Sequence, residues 1–248
     1  MSWTVDINCD LGEGAGHDEQ IMPIISSCNI ACGGHSGNKT SIKTALLLAK
    51  QHGVKAGAHP SFEDRENFGR VQLDWSRSRF RESVTNQIHI FQEVAHELGM
   101  KMHHIKMHGA LYHTTAHDQN MAAWTVELLR EQYPHCPIYA LPDSLLQELC
   151  ERQGQPFIAE AFADRAYHKD GSLVARNREG AVLEQVDAVA QQLKQMVQYR
   201  QVDTVDDTVL HLKVETFCIH GDNHALVLQL PQLIESLNKN NISIAKSR

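Results

Sequence analysis

Short apolar runs alternate with longer amphipathic stretches along almost the whole chain, and this cadence restricts the fold more than any other feature. Seven runs read as buried strands: 5–9, 28–32, 54–58, 103–107, 137–141, 157–161 and 216–219. Each has the length of a strand covered on both faces, roughly 4–8 residues. Helical patterns fill the gaps. In 38–52, Ile42, Ala45, Leu46 and Ala49 share one face and Gly53 supplies the stop. In 76–98, Phe80, Val84, Ile88, Phe91, Ala95 and Leu98 step by three or four before Gly99. Residues 143–153 end at Gly154, and 179–197 align Val182, Val186, Val189, Leu193 and Met196. A last helix is expected over 224–239. Strands alternating with helices imply a parallel sheet with right-handed crossovers and helices outside it. Residues 200–215 fit neither pattern and read as a loop or an eighth, atypical unit.

A closed barrel and an open doubly wound sheet share this cadence, and the strand ends discriminate. The run Val5–Asp10 ends in acids, and four later runs reach His35, His59, His108 and His220. In an open sheet such groups gather at one switch point, whereas five functional strand ends favour closure and a site at the carboxyl mouth of a barrel. The 248 residues are close to the roughly 250 of a single barrel. No Pro/Gly/Ser-rich linker divides the chain, so one α/β barrel domain over 1–248, with seven parallel strands and outer helices, is expected.

A formal net charge of −7 argues against a nucleic-acid surface, which needs a basic stripe. No run approaches the ~18 apolar residues of a membrane span. The start, Met1–Asp6, lacks the basic and apolar regions of a signal peptide. The six cysteines show no CxxC spacing and read as small buried thiols of a reducing cytoplasm rather than a disulfide framework.

Polar residues interrupt the strands where a ligand would explain them. Asp6, Asn8 and Asp10 alternate onto one face of the first strand, followed by Glu13. Facing a barrel interior they need partners or a ligand; on an edge strand they would simply be solvated. Gly33–Gly37 around His35 lets backbone approach a ligand, although no Walker-type loop is present. The long connection after His59 carries Asp64 and Arg70, a clamp for a carboxylate-bearing substrate or a surface ion pair. Lys106 and His108 share a face, and an inward lysine needs an acid or an anionic ligand. His103 and His104 read as surface or packing residues. Glu160, Arg165 and Arg176 belong to a dense polar loop that either grips substrate or pairs internally. His220 and Asp222 could act as base and orienter, or cap the next helix.

Together these segments resemble the LamB/YcsF family. The matching stretches are DINCDLGEG (6–14), IMPIISSCNIACGGH (21–35), GVKAGAHPSFEDRENFGR (53–70), HIKMHGALY (104–112), EAFADRAYHKDGSLVAR (160–176) and CIHGDN (218–223), in order across nearly the whole chain. Asn38 stands where the family usually has Asp, and Met107 and His113 where it usually has Pro and Asn. Members include the A subunit of the prokaryotic 5-oxoprolinase. The resemblance therefore implies a seven-stranded (β/α) barrel and ATP-dependent opening of 5-oxo-L-proline to L-glutamate, with ADP and phosphate released. It also implies partner subunits B and C. Composition and spacing by themselves point to neither ATP, the lactam nor those partners.

Against that chemistry, Lys106 and Arg70 are assigned to anion binding. Asp10, Glu13 and His35 are candidates for activating water, and His59, His108 and Asp222 for orienting substrate or moving protons. Asn8, Asp64, Glu160, Arg165, Arg176 and His220 complete the substrate- and phosphate-binding set. Two other readings stay open. One is a metal-dependent hydrolase or deacetylase, with three ligands from Asp10, His35, His59, His108 and His220 on a divalent metal of unassigned identity. The other is a subunit that binds a lactam without turning it over.

Overall fold

The structure, a computed structural model, describes residues 2–246. It begins with β1 (Trp3–Leu11), α1 (Asp18–Ile21), β2 (Ser27–Ala31), α2 (Lys39–His52), β3 (Lys55–His59), α3 (Arg77–Glu97) and β4 (Ile105–Lys106). There follow α4 (Gly109–His117), α5 (Gln119–Gln132), β5 (Ile138–Ala140), α6 (Leu145–Gln153), β6 (Phe157–Phe162) and α7 (Val186–Tyr199). The chain ends with β7 (Gln201–Asp203), β8 (Val209–His211), β9 (Thr216–His220), α8 (His224–Val227), α9 (Leu230–Lys239) and β10 (Ile242–Ile244).

Strands β1 to β6 pair in sequence, β6 pairs with β9, and β9 returns to β1, every pairing being parallel. The result is the closed seven-stranded barrel expected from the sequence. At nine residues β1 outlasts its neighbours, and its first residues pair with β10 beyond the barrel proper. Registers matter for the site. Asp10 lies opposite both Asn29 and His220, and Ala31 lies opposite His59. The polar strand ends therefore share one mouth.

Local sequence explains the helices. Asn38 caps α2 by accepting from the Thr40 and Ser41 amides, as an aspartate there would, and Gly53 ends it at φ 65°. Its buried face is Ile42, Ala45, Leu46 and Ala49. Ser76 caps α3, whose long apolar stripe packs on the barrel. All six cysteines are free, and only Cys136 is not fully buried.

The structure corrects several boundaries. Helices α4 and α5 were not anticipated; Asp118 ends one and caps the other by accepting from the Met121 amide. The expected helix 224–239 is two helices, because Pro231, which lacks an N–H, sits in the first turn of α9. The expected helix 179–197 begins only at Val186: before it, Val182 bridges Arg165 in antiparallel fashion. Residues 200–215 contain the antiparallel hairpin β7–β8, outside the barrel sheet. No helix among the described residues is long and apolar enough to cross a membrane.

Candidate active site

The carboxyl mouth of the barrel opens into a cavity of about 620 Å³. Asp10, Glu13, His59, Lys106, His108 and His220 form its floor and walls, and Arg70, Arg165, Arg176 and Asp222 its rim. Residues 173–177, from the loop after β6, cover one side. The scattered acids, imidazoles and lysine thus meet in one place, as their positions at strand ends imply.

Lys106 is the centre of the floor. Its Nζ lies 3.0 Å from Asp10 Oδ1 and 3.0 Å from Glu160 Oε1, and 3.2 Å from Cys218 Sγ. The rings of Phe162 and Tyr112 close over it at 5.4 and 5.9 Å. Burial opposes the ammonium charge, but Asp10, Cys218 and Glu160 outweigh it and hold the lysine pKa well above its ordinary value. Burial likewise opposes charge on Asp10, and His59 and Lys106 reverse the balance, keeping that carboxyl well below the usual range.

A buried amide network sets Asp10. Asn29 Nδ2 donates to Asp10 Oδ1 at 2.7 Å and to Asn8 Oδ1 at 2.8 Å. Asn8 Nδ2 donates to Glu160 Oε1 and Thr216 Oγ1, each at 2.8 Å. His104 Nε2 donates to Asn29 Oδ1 at 2.6 Å while its ring stacks on Tyr139 with centroids 3.9 Å apart. His104 is thus a packing residue that also anchors the network. Asn8 and Glu160, expected to touch substrate, are instead fully buried behind Lys106 and hold it in place.

Beside Asp10 lies a second cluster. Glu13 Oε1 is 2.8 Å from His35 Nε2, 3.2 Å from His108 Nδ1 and 3.8 Å from His59 Nε2. His59 Nε2 also approaches Asp10 Oδ2 at 3.3 Å. His35 lies behind the cavity wall, its ring stacked on His108 at 3.5 Å. Burial pushes His35 down to about 4 and lowers His108 as well. Burial also opposes charge on Glu13, but the His108 and His35 imidazoles beside it hold its carboxyl far below the usual range.

On β9, beside Asp10, His220 is oriented by Asp164, not by Asp222. Asp164 Oδ1 accepts from His220 Nδ1 at 2.8 Å, and Oδ2 accepts from the His220 amide at 3.0 Å. Asn223 donates to the same carboxylate and, through its own Oδ1, caps α8. Asp222 pairs instead with Arg70 at 2.8 Å and Arg176 at 2.8 Å. Arg70 therefore meets Asp222 rather than Asp64. Asp64 lies away from the cavity, where it shapes its own loop by accepting from Asn67. Arg165 reaches the rim with donors spent on the Ala181 and Val174 carbonyls, and burial lowers it to about 10. Three guanidiniums against one carboxylate leave this rim attractive to an anion.

Asn29, His104 and Asp164 were not among the expected site residues. Asn29 carried a signal in the sequence: it is a polar residue inside an otherwise apolar strand. Asp164 stands in the dense polar loop the sequence shows, but nothing there signals its partner 56 residues away. The metal-ligand set expected from the sequence divides in two. His35, His59 and His108 gather with Glu13, while Asp10 and His220 gather with Cys218, donor atoms within each group lying within 4.8 Å of one another.

Comparison with known proteins agrees with this architecture. The sequence model of the LamB/YcsF family matches residues 5–248. A 5-oxoprolinase A subunit from Acinetobacter baumannii (strain ACICU) is 39% identical over 245 residues, covering 97% of this chain and 96% of that one. Another, from Histophilus somni (strain 129Pt), is 35% identical over 243 residues, covering 98% of each. The crystal structure of a lactam utilization protein from Thermus thermophilus superposes with a TM-score of 0.87 at 32% identity, covering 98% of this chain and 99% of that one. With the match running through every strand of the barrel and every wall of the cavity, the chain belongs to the LamB/YcsF family.

Proposed function

We propose that this chain is the A subunit of an ATP-dependent 5-oxoprolinase and that its cavity binds 5-oxo-L-proline and opens the lactam to L-glutamate. The observation that carries the reading is the placing of an acid and an imidazole side by side on the paired strands β1 and β9, facing one small cavity. A carboxylate oxygen of Asp10, a ring nitrogen of His220 and Cys218 Sγ lie within 4.8 Å of one another, each acid–base group being fixed from behind by its own network. A ring amide seated over them meets a proton acceptor and a proton donor side by side. The relatives named above as 5-oxoprolinase A subunits, and the solved one named for lactam utilization, support the substrate class.

In this reading Arg70, Arg165 and Arg176 attract the substrate carboxylate and phosphate to the rim, and Lys106 faces charge that develops on the lactam oxygen. A five-membered lactam is a stable amide. Transfer of the γ-phosphoryl group of ATP to the lactam oxygen releases ADP and makes the carbonyl carbon electrophilic. Water, deprotonated by Asp10, then adds to that carbon. The C–N bond breaks, His220 protonates the departing nitrogen, and phosphate leaves on hydrolysis. Partner subunits B and C complete the enzyme.

Reconstitution with subunits B and C, following ADP and glutamate together, tests the proposal. Stoichiometric release of both, abolished by Asp10→Asn with the fold retained, is the expected result. Binding of 5-oxoproline with no turnover in the full complex would make the chain a lactam-binding subunit instead. Hydrolysis without ATP would support an ATP-independent hydrolase.

A further inference from the structure

Glu13, His35, His59 and His108 bring one donor atom each to a single point, all four within 4.8 Å of one another. His59 Nδ1 is 2.8 Å from the Lys106 carbonyl oxygen, which can only accept, so that nitrogen carries the hydrogen. His108 Nε2 is 2.9 Å from the Phe68 carbonyl oxygen and carries its hydrogen for the same reason. In the neutral rings, His59 Nε2 and His108 Nδ1 are then bare lone pairs, and they face each other at 3.0 Å. Both also face Glu13 Oε1, on which His35 Nε2 converges at 2.8 Å. One added proton can join two of these atoms. A divalent cation joins all four.

The spacing suits such an ion. Bonds of about 2.0–2.1 Å in a tetrahedral site separate neighbouring donors by roughly 3.3 Å. Four of the six separations run from 2.8 to 3.8 Å, and all lie within 4.8 Å. The two carbonyl oxygens behind His59 and His108 are the outer partners that fix tautomer and ring direction in metal-binding imidazoles. We propose that Glu13, His35, His59 and His108 bind one divalent transition-metal ion of the zinc class. Three imidazoles and one carboxylate suit Zn²⁺, Co²⁺, Ni²⁺ or Fe²⁺ over Mg²⁺ and Ca²⁺, which prefer all-oxygen surroundings. Glu13, His59 and His108 also line the cavity, so the ion sits in its wall, beside Asp10. This proposal is independent of the lactam reading, since binding is measured without substrate or partner subunits.

The test uses the full-length protein, stripped with a chelator and titrated with Co²⁺. One equivalent binds, gives the visible d–d bands of a low-coordinate nitrogen-rich site without a thiolate charge-transfer band, and raises the melting temperature. His59→Gln and His108→Gln each weaken binding by about 100-fold or more, at least the ~10–100-fold lost with an outer partner alone. Cys218→Ser leaves the spectrum unchanged. Absence of Co²⁺ and Zn²⁺ binding to the wild type overturns the proposal, whatever the variants do. Binding that survives both histidine changes, or that is lost with Cys218→Ser, overturns it too, by placing the ion in the Asp10–Cys218–His220 group.

Discussion

His220 Nδ1 donates to Asp164 Oδ1 at 2.8 Å, and the same carboxylate receives the His220 backbone amide at 3.0 Å. This double contact fixes both tautomer and ring direction, leaving Nε2 as the nitrogen free to exchange a proton. Asp164→Asn keeps the shape but offers the ring a donor in place of one acceptor. The expected outcome is a fall in kcat of the reconstituted enzyme by about 10²–10⁴, the usual contribution of a positioned acid–base group. Because the two residues act as a unit, His220→Gln alone and the double variant should lose about as much. Steady-state kinetics on the three variants checks this, with circular dichroism to confirm folding. Additive losses would show that Asp164 does not act through His220.

Lys106 is a buried cation held between Asp10 and Glu160, each at 3.0 Å. Lys106→Met removes the charge and leaves two carboxylates uncompensated in the barrel interior. Breaking such a pair costs about 3–5 kcal/mol. Urea denaturation should show a loss of that size, and turnover should disappear. Adding Glu160→Gln removes one of the stranded charges and should restore part of the stability but none of the activity.

The barrel was legible in the sequence because each of its strands is an apolar run with a helix stop or turn before it, as Gly53 precedes Lys55–His59. The mouth was legible for a related reason. Lysine and histidine inside apolar strands, such as Lys106 and His59, make sense only if something polar faces them. Partnerships were not legible. His220 takes Asp164 across 56 residues rather than the adjacent Asp222, and Arg70 takes Asp222 across 152 rather than nearby Asp64. Register and loop path decide those pairs. Asn8 and Glu160 read as ligand-binding groups because a polar residue in a strand looks the same whether it faces substrate or supports the lysine that does. Helices α4 and α5 escaped notice because polar residues, His113 to His117, dilute the apolar period, although Met121, Thr125, Val126 and Leu129 kept it.

Acid should unfold the protein partly through the rim and its neighbouring wall. Burial opposes charge on Asp164 and Asp222, but His220 and Arg176 respectively outweigh it, and both carboxyls are held below their ordinary values. The unfolded chain therefore binds these protons more readily than the folded one. Their contribution to stability is complete above about pH 4, where unfolded aspartates are ionised, and is lost as pH falls through the lower folded values. Asp222→Asn should be less stable than wild type at pH 7, with the gap closing below about pH 4. Urea midpoints measured across pH 2–7 check this, and a gap that stays constant would remove Asp222 from the acid transition.

The buried amide network depends on a glycine with no special backbone angle. A Cβ on Gly57 would stand 2.4 Å from His104 Cδ2 and Nε2, far inside any contact that real atoms make. His104 cannot yield easily, since Tyr139 is stacked on it at 3.9 Å and Asn29 holds Nε2 at 2.6 Å. Gly57→Ala should therefore cost about 1–3 kcal/mol by overpacking. The displaced imidazole should also release Asn29, and with it the 2.7 Å bond that sets Asp10, so kcat should fall while KM changes little. His104→Ala creates the missing space. The double variant should be no less stable than His104→Ala alone, the non-additivity that marks two residues competing for one volume. Equilibrium urea unfolding of the wild type and the three variants reads this directly. Strictly additive losses would mean that Gly57 matters for some reason other than the room it leaves for His104.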